Sequence, residues 1–499
     1  MRSCGVLLHI SSLPSRYGIG TLGQESKRFI DFLRAGGQEY WQMLPIGPTG
    51  FGDSPYQSFS AFAGNPLLIS TDSLLEEELI KPTDAELSNL QTMAQAKFSD
   101  FQKLFVFKTV LLKLAYERFF VAGGSAEFIR FKEENADWLD DYALFMALKD
   151  HFDQKPWYEW DDDIRMRRRT ALTHYSEQLS KAIEFWKFTQ FKFFTQWNEL
   201  KSYAMANGVK IIGDIPIYVA SDSADVWSCP ENFILDKDRK PMMVSGCPPD
   251  AFAPTGQLWG NPVYDWPSME KNGYEWWINR ISYTCKLFNM VRIDHFRGFE
   301  SFYAIHSDSK TAENGVWLKG PGMKLFDAVR NKLGKVELIA ENLGFLTDEV
   351  NDMLKASGFP GMNVLEFAFD ADNESDYMPH RYIEHSVSYI GTHDNDTALG
   401  WYKSLDAYTQ RFVKKYLNLN AFEGYSFGMI RSMYASVSEL VIIQMQDFLN
   451  LGSQARMNIP STVGGNWIWR MTDAQMKPAL AKKMRELATT YFRCSQTLD

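Results

Sequence analysis

Four acidic side chains each close an apolar run: Asp214 in "IIGDIP", Asp294 in "VRIDHF", Glu341 in "LIAENLG" and Asp394 in "YIGTHDND". One acid at the end of a buried strand is ordinarily a helix cap or half of an ion pair. Four acids brought to one rim repel each other and raise each other's pKa, which folding alone does not reward. The arrangement makes chemical sense when one carboxyl must be protonated while another is ionised, as cleavage of a glycosidic bond demands. Arg292 lies two residues before Asp294, so on a strand the two side chains share a face. The guanidinium favours the ionised carboxylate and lowers its pKa, which a nucleophile requires. Glu341 sits in "ELIAENLGF" with no cation adjacent in sequence, which suits a raised pKa and a proton donor. His393 and Asp394 are consecutive, so Asp394 must start a loop, and the pair is placed to hydrogen-bond substrate hydroxyls.

The elements that position these residues recur as a short apolar strand followed by a helical pattern. Strand candidates fall at residues 5–10, 40–46, 209–219, 288–294, 336–344, 362–370, 386–396 and 453–460, the last being "SQARMNIP". Eight strand–helix units imply a parallel sheet closed into a (β/α)8 barrel, an α/β fold of TIM-barrel type. One catalytic barrel domain is expected over residues 1–499. Two intervals are too long for a plain crossover. Residues 48–207 form a mostly helical insertion, and 220–275 a loop-rich insertion whose 246–262 stretch is a candidate active-site lid. The chain ends soon after the eighth candidate, which leaves little room for a C-terminal β-domain. Loops that follow barrel strands lie on the face where such folds place their sites.

A net charge of −10 argues against nucleic acid or an anionic membrane as the main partner. "RMRRRT" at 165–170 is the conspicuous basic cluster and reads as a solvated helix face. No stretch reaches the roughly 18 apolar residues of a membrane span, and the N-terminal "GVLLHI" is too short for a signal peptide, so a soluble, cytoplasmic protein is expected. Cys4, Cys229, Cys247, Cys285 and Cys494 lack disulfide-framework or metal-ligand spacing. "DADNESDY" lacks the glycine and terminal Glu of an EF-hand loop, so neither metal nor cofactor is expected. The 15 Trp, 22 Tyr and 36 Phe are mostly core, though aromatic faces also stack on sugar rings.

"VRIDHFRG", "ELIAENLG" and "GTHDND", in this order, closely resemble the amylomaltase family of 4-α-glucanotransferases, relatives of the α-amylases. "SSLPSRYGIGTLG", "FGDSPYQSFSAFAGNP", "GDIPIYVASDSADVW" and "PPDAFAPTGQLWGNPVYDW" extend the resemblance over nearly the whole chain. The resemblance implies a (β/α)8 barrel with inserted subdomains and no C-terminal β-domain. It implies Asp294 as nucleophile, Glu341 as general acid/base and Asp394 as transition-state stabiliser. Asp214, Arg292 and His393 would be donor-site ligands, and Tyr56, Asp250, Gln257 and Trp259 would contact the glucan from inserted loops. Asp370 and Asn458 are further carry-overs. Pro460-Ser461 departs from the family's more usual Pro-Gly and alters the backbone beside Asn458. The partners implied are maltooligosaccharides and α-1,4-glucans, processed by a retaining double displacement with carboxyls about 5–5.5 Å apart. The residues alone serve transfer to a sugar or to water equally well, so an α-glucan hydrolase stands as the alternative. A glucan-binding protein without catalysis is a second alternative, disfavoured because binding gains nothing from an acid of tuned pKa.

Overall fold

The computed structural model describes residues 2–249, 253–344, 346–369 and 374–495. Twelve strands lie along it: β1 Ser3–Leu7, β2 Tyr40–Gln42, β3 Lys210–Ile215, β4 Met243–Cys247, β5 Gln257–Pro262 and β6 Met290–Ile293. β7 Ser301–His306, β8 Gly315–Lys319, β9 Leu338–Ala340, β10 Gly361–Val364, β11 Ser386–Tyr389 and β12 Leu440–Gln444 complete the set. Eight of them close a parallel barrel in the order β1-β12-β11-β10-β9-β6-β3-β2. Each is a short run, and β1, β3, β6, β9 and β12 are rich in Val, Ile and Leu, as suits strands buried on both faces. Val6, Trp41, Ile212, Ile293, Ile339, Val364, Tyr389 and Ile442 are all fully buried. Gly5 lets β1 and β2 approach: a Cβ there would stand 2.4 Å from Tyr40 O.

The eighth barrel strand is not at 453–460. That segment holds a single 3-10 turn, Ser453–Ala455, and the strand is "LVIIQ" in β12, paired with β1 from Ser3↔Leu440 to Leu7↔Gln444. The apolar run of β12 passes directly into the helix Met445–Phe448, so its strand character is masked by the helical pattern on either side. Of the other seven candidates, those for β1 and β10 start two residues and one residue late and five contain their strands whole, and all seven overrun at the C-terminal end, where the chain turns into the loops of the functional face.

Between β2 and β3 lie the long helices Phe101–Val121, Ala136–His151 and Ser180–Ala206. They pack through aromatic pairs such as Phe119–Phe191 and Trp138–Phe194. The helix Ser180–Ala206 also packs on Gln24–Ala35, so it belongs to the barrel's outer ring as well as to the insertion. The 220–275 interval, which shows no strand periodicity, contributes β4 and β5 to an antiparallel sheet of order β5-β4-β7-β8. A bulge between Val244 and Gly246 breaks the alternation that would have marked them. At the far end of the chain, Arg493 donates to the carbonyls of Ser3, Tyr434, Ser436 and Ser438, stapling β1 to the segment entering β12. Among the described residues no helix is long and apolar enough to cross a membrane.

Candidate active site

Barrel register assembles the centre of the site. β3 pairs with β6 so that Asp214 lies opposite Arg292. β6 pairs with β9 so that Arg292 lies opposite Ile339 and Ile293 opposite Ala340. Neighbours at one level of a sheet point the same way, and residues two apart share a face. One step beyond the last pairs, Asp294 and Glu341 therefore emerge side by side, on the same inward face as Arg292. Backbone bonds carry this register past the strand ends: Asp294 N–H donates to Ile215 O at 3.1 Å and Glu341 N–H to Ile293 O at 3.0 Å.

Arg292 organises the acids. Its Nη1 lies 2.8 Å from each oxygen of Asp214 and 3.0 Å from Asp294 Oδ1, and its Nη2 is 4.0 Å from Glu341 Oε2. The cation that Glu341 lacks in sequence thus reaches it across the sheet. Asp214 is fully buried, and Tyr56 hydroxyl donates to its Oδ2 at 2.7 Å. It meets the cleft through Arg292 and Tyr56 rather than with its own oxygens. Asp294 keeps 26 % of its side-chain surface open, against 11 % for Glu341.

His295 turns the chain immediately after Asp294. Its left-handed φ of 48° is unusual outside glycine and costs on the order of 1 kcal/mol. The turn aims its backbone N–H at Glu341 Oε2, 2.6 Å away, while Leu343 N–H meets Oε1 at 3.1 Å. The general-acid candidate is thus held at both oxygens by backbone.

Electrostatics separate the two carboxyls. Burial raises Glu341 to about 8; Arg292 opposes this and the Asp294 charge reinforces it. Burial also raises Asp294, to about 6, with Arg292 pulling down and Asp214 and Asp394 pushing up. The expectation that Arg292 holds Asp294 below the ordinary carboxylate range is therefore corrected. The guanidinium acts in that direction but is shared with Asp214, and desolvation outweighs what remains. The order of the pair survives, so near neutral pH one proton resides on Glu341 and Asp294 is ionised. Burial keeps His393 and His295 neutral by lowering their pKa values, His295 to about 3.

Asp394 occupies the turn after β11, its side chain 45 % exposed. Asn458 Nδ2 donates to its Oδ1 at 2.6 Å, and Arg456 Nη2 to its backbone carbonyl at 2.6 Å. Arg456 Nε also donates to Asn458 O at 2.7 Å, so a single guanidinium ties the two loops together. Ser461, three residues on, stands at φ +64°, the conformation a glycine would adopt freely, yet the Asn458–Asp394 bond is in place. His393 stacks on Tyr56 with ring centroids 5.1 Å apart, and Trp467 leans on both. These three rings wall the cleft between Asp214 and Asp394.

On the other wall, Trp259 of β5 meets His295 edge-on at 4.9 Å and donates through Nε1 to Gln257 Oε1 at 3.1 Å. The register thus brings together Tyr56, Asp214, Arg292, Asp294, Glu341, His393, Asp394 and Asn458, with Gln257 and Trp259 at the rim. Asp250, Phe252 and Asp370 lie outside the described residues. Sequence reasoning missed Arg456 and Trp467. Both stand in loops after β12 with no apolar lead-in, and once β12 is located their distance beyond its end is the signal that would have found them.

A family model described as 4-alpha-glucanotransferase matches residues 8–476. The 4-alpha-glucanotransferase of Clostridium butyricum is 48 % identical over 489 residues, covering 98 % of this chain and all of the relative. That of Streptococcus pneumoniae is 48 % identical over 499 residues, covering 100 % and 98 %. Among solved structures, the amylomaltase of Streptococcus agalactiae in complex with acarbose superposes with a TM-score of 0.96 at 40 % identity, covering 99 % of this chain and 100 % of that one. The amylomaltase of Corynebacterium glutamicum shares the fold at a TM-score of 0.76 and 17 % identity, covering 99 % of this chain and 74 % of that one.

Proposed function

The chain belongs to the 4-alpha-glucanotransferase (amylomaltase) family, and on that premise we propose that Asp294, Glu341 and Asp394 carry out a retaining double displacement on α-1,4-glucans. The observation that carries the reading is geometric: Asp294 and Glu341 emerge side by side on the Arg292 guanidinium, 3.0 and 4.0 Å from its nitrogens, with the more buried Glu341 held by backbone N–H groups at both oxygens. In the first step Glu341 gives its proton to the glycosidic oxygen as the C1–O bond breaks, and Asp294 attacks C1 to form a covalent glucosyl-enzyme. The leaving glucan departs with that proton. Glu341, now ionised, takes the proton of an incoming 4-hydroxyl, whose oxygen displaces Asp294 from C1. Asp394, open to the cleft and fixed by Asn458, binds sugar hydroxyls as positive charge develops on the ring. The stack of His393 on Tyr56 forms the donor-side wall.

Maltooligosaccharides are the donors and acceptors in this reading, which the acarbose bound by the Streptococcus agalactiae relative supports. Transfer prevails over hydrolysis when water is kept from the glucosyl-enzyme and an acceptor glucose is held in its place. In this reading Trp259, packed edge-on against His295, serves both ends. A cytoplasmic site of action agrees with the five cysteines, all free thiols.

Incubation with maltotriose, following free glucose, total reducing ends and the product ladder, tests the activity. Longer oligosaccharides appear alongside glucose with constant reducing ends; rising reducing ends without longer products would make it a hydrolase. Asp294→Asn lowers turnover by about three orders of magnitude or more with the fold intact. Near-full rate in that variant removes Asp294 as nucleophile.

A further inference from the structure

Behind the 391–396 turn lies a second group of acids that the mechanism leaves unused. Glu366 follows β10, and its backbone N–H donates to Ile390 O at 3.0 Å. Its Oε1 is buried without a hydrogen-bond partner, as is Oδ2 of Asp447, a residue with no exposed surface just after β12. The charge of Asp396 acts against ionisation of both, its own carboxylate accepting Thr397 N–H and the Ser453 hydroxyl. Arg456 is the cation felt by Glu366, but it already donates to Asp394 O and Asn458 O. Three carboxyls around one engaged guanidinium, with Asp447 fully buried and Glu366 and Asp396 half-buried, disfavour charge on all three at once. Burial, then repulsion from Asp447 and Asp396, drives Glu366 well above the usual carboxylate range, and burial takes Asp447 to about 7.

Glu366 is also wired to the turn. The Asn395 side chain lies beside its carboxyl, the two packed against the same side of Gly391. Asn395 Oδ1 is committed to the N–H and hydroxyl of Thr392, each at 2.9 Å, which leaves the amide nitrogen to face Glu366. Thr392 Oγ1 in turn accepts the backbone N–H of Asp394 at 3.4 Å. Gly391 makes the room: a Cβ there would stand 2.9 Å from Glu366 Oε1 and 2.8 Å from Asn395 Cβ. We propose that Glu366 is a positioning residue for Asp394, its carboxyl serving in uncharged form as the prop that fixes Asn395 and, through it, the turn that carries Asp394. The role rests on the reading of Asp394 as transition-state stabiliser. A neutral acid and a carboxamide have the same shape and both offer the Asn395 amide an acceptor, whereas a thioether fills the space and offers none.

The test is Glu366→Gln against Glu366→Met, each assayed on maltotriose about 15 °C below its own Tm, with Asp394→Asn alongside. Glu366→Gln keeps kcat within about threefold of the parent. Glu366→Met keeps the packing and its Tm but loses about tenfold or more in kcat, with KM changed by less than about threefold, because the loss falls on the transition state. A Gln variant that falls as far as the Met variant shows that a charged carboxylate is needed and overturns the proposal. A Met variant at near-full rate, with Asp394→Asn inactive, overturns the positioning role alone. Full activity in Asp394→Asn overturns the reading of Asp394 itself.

Discussion

Arg292 and Asp214 form the buried ion pair on which the site is built, one Nη1 lying 2.8 Å from both carboxylate oxygens. The pair is set by strand register, since β3 and β6 place the two residues opposite each other before any loop is involved. The Asp214 side chain carries no exposed surface, so its work is to hold a buried cation that would otherwise rest on Asp294 alone. Breaking such a pair from one side costs about 3–5 kcal/mol, because the remaining charge stays desolvated.

Asp214→Ala is therefore expected to lower the unfolding free energy by about 3–5 kcal/mol and to reduce kcat as well, since Arg292 and Tyr56 both lose their anchor. Asp214→Asn keeps a single acceptor oxygen for Arg292 and Tyr56 to share, and falls between the parent and Asp214→Ala. Denaturant unfolding midpoints and maltotriose turnover, measured on the same preparations, check this. Full stability in the Ala variant would mean that Arg292 is neutralised by Asp294 and Glu341 alone.

The pH dependence follows from the separated carboxyls. Turnover needs Asp294 ionised and Glu341 protonated, so kcat/KM rises through about pH 6 and falls through about pH 8. These are apparent values of the pair. Stability moves differently. The folded pKa of Glu341 is raised from 4.5 to about 8, so its contribution is fully present below pH 4.5 and lost as pH rises through 8. Glu341→Gln, which cannot ionise, is expected to match the parent's Tm near pH 4.5 and to exceed it increasingly up to pH 8.5. An equal Tm at both pH values would show that Glu341 is ionised in the resting protein.

How much of this could be read from the chain depends on where each residue stands. Asp214, Asp294 and Glu341 close runs of buried aliphatic residues, and such runs identify barrel strands and their functional ends together. Asp394 follows the same logic one turn later. Register is not legible, because it depends on which strands are neighbours, and so the approach of Arg292 to Glu341 and Asp214 was hidden. β12 was hidden by the helix that continues its apolar pattern. Glu366 was hidden differently: "MNVLEFAFD" reads as one strand, but the chain leaves the sheet at Val364 and forms a 3-10 turn that swings the carboxyl under Gly391. An acid inside an apolar run was its signal, the same one that marked Asp214.

In the proposed reaction Trp259 is the residue expected to set the balance between transfer and hydrolysis. It belongs to β5, whose position is fixed by pairing with β4, and Gln57 Nε2 pins the strand further by donating to Asn261 Oδ1 at 3.1 Å. Its ring edge rests on His295, the residue whose backbone holds Glu341, so the aromatic rim and the proton donor share one support. The indole remains only partly buried, which leaves surface for an acceptor sugar. Removing one aromatic contact of this kind costs on the order of 1–1.5 kcal/mol, which is roughly tenfold in acceptor affinity. Trp259→Ala should therefore lower the ratio of transfer to hydrolysis about tenfold, while Trp259→Phe retains most of it. The measurement is the yield of oligosaccharides longer than maltotriose relative to new reducing ends. Attack by Asp294 precedes acceptor binding, so formation of the glucosyl-enzyme should survive in the Ala variant, trapped and detected by mass spectrometry after rapid quenching. A variant that loses that intermediate would place Trp259 in support of Glu341 through His295, and the partition between sugar and water would then be decided elsewhere on the rim.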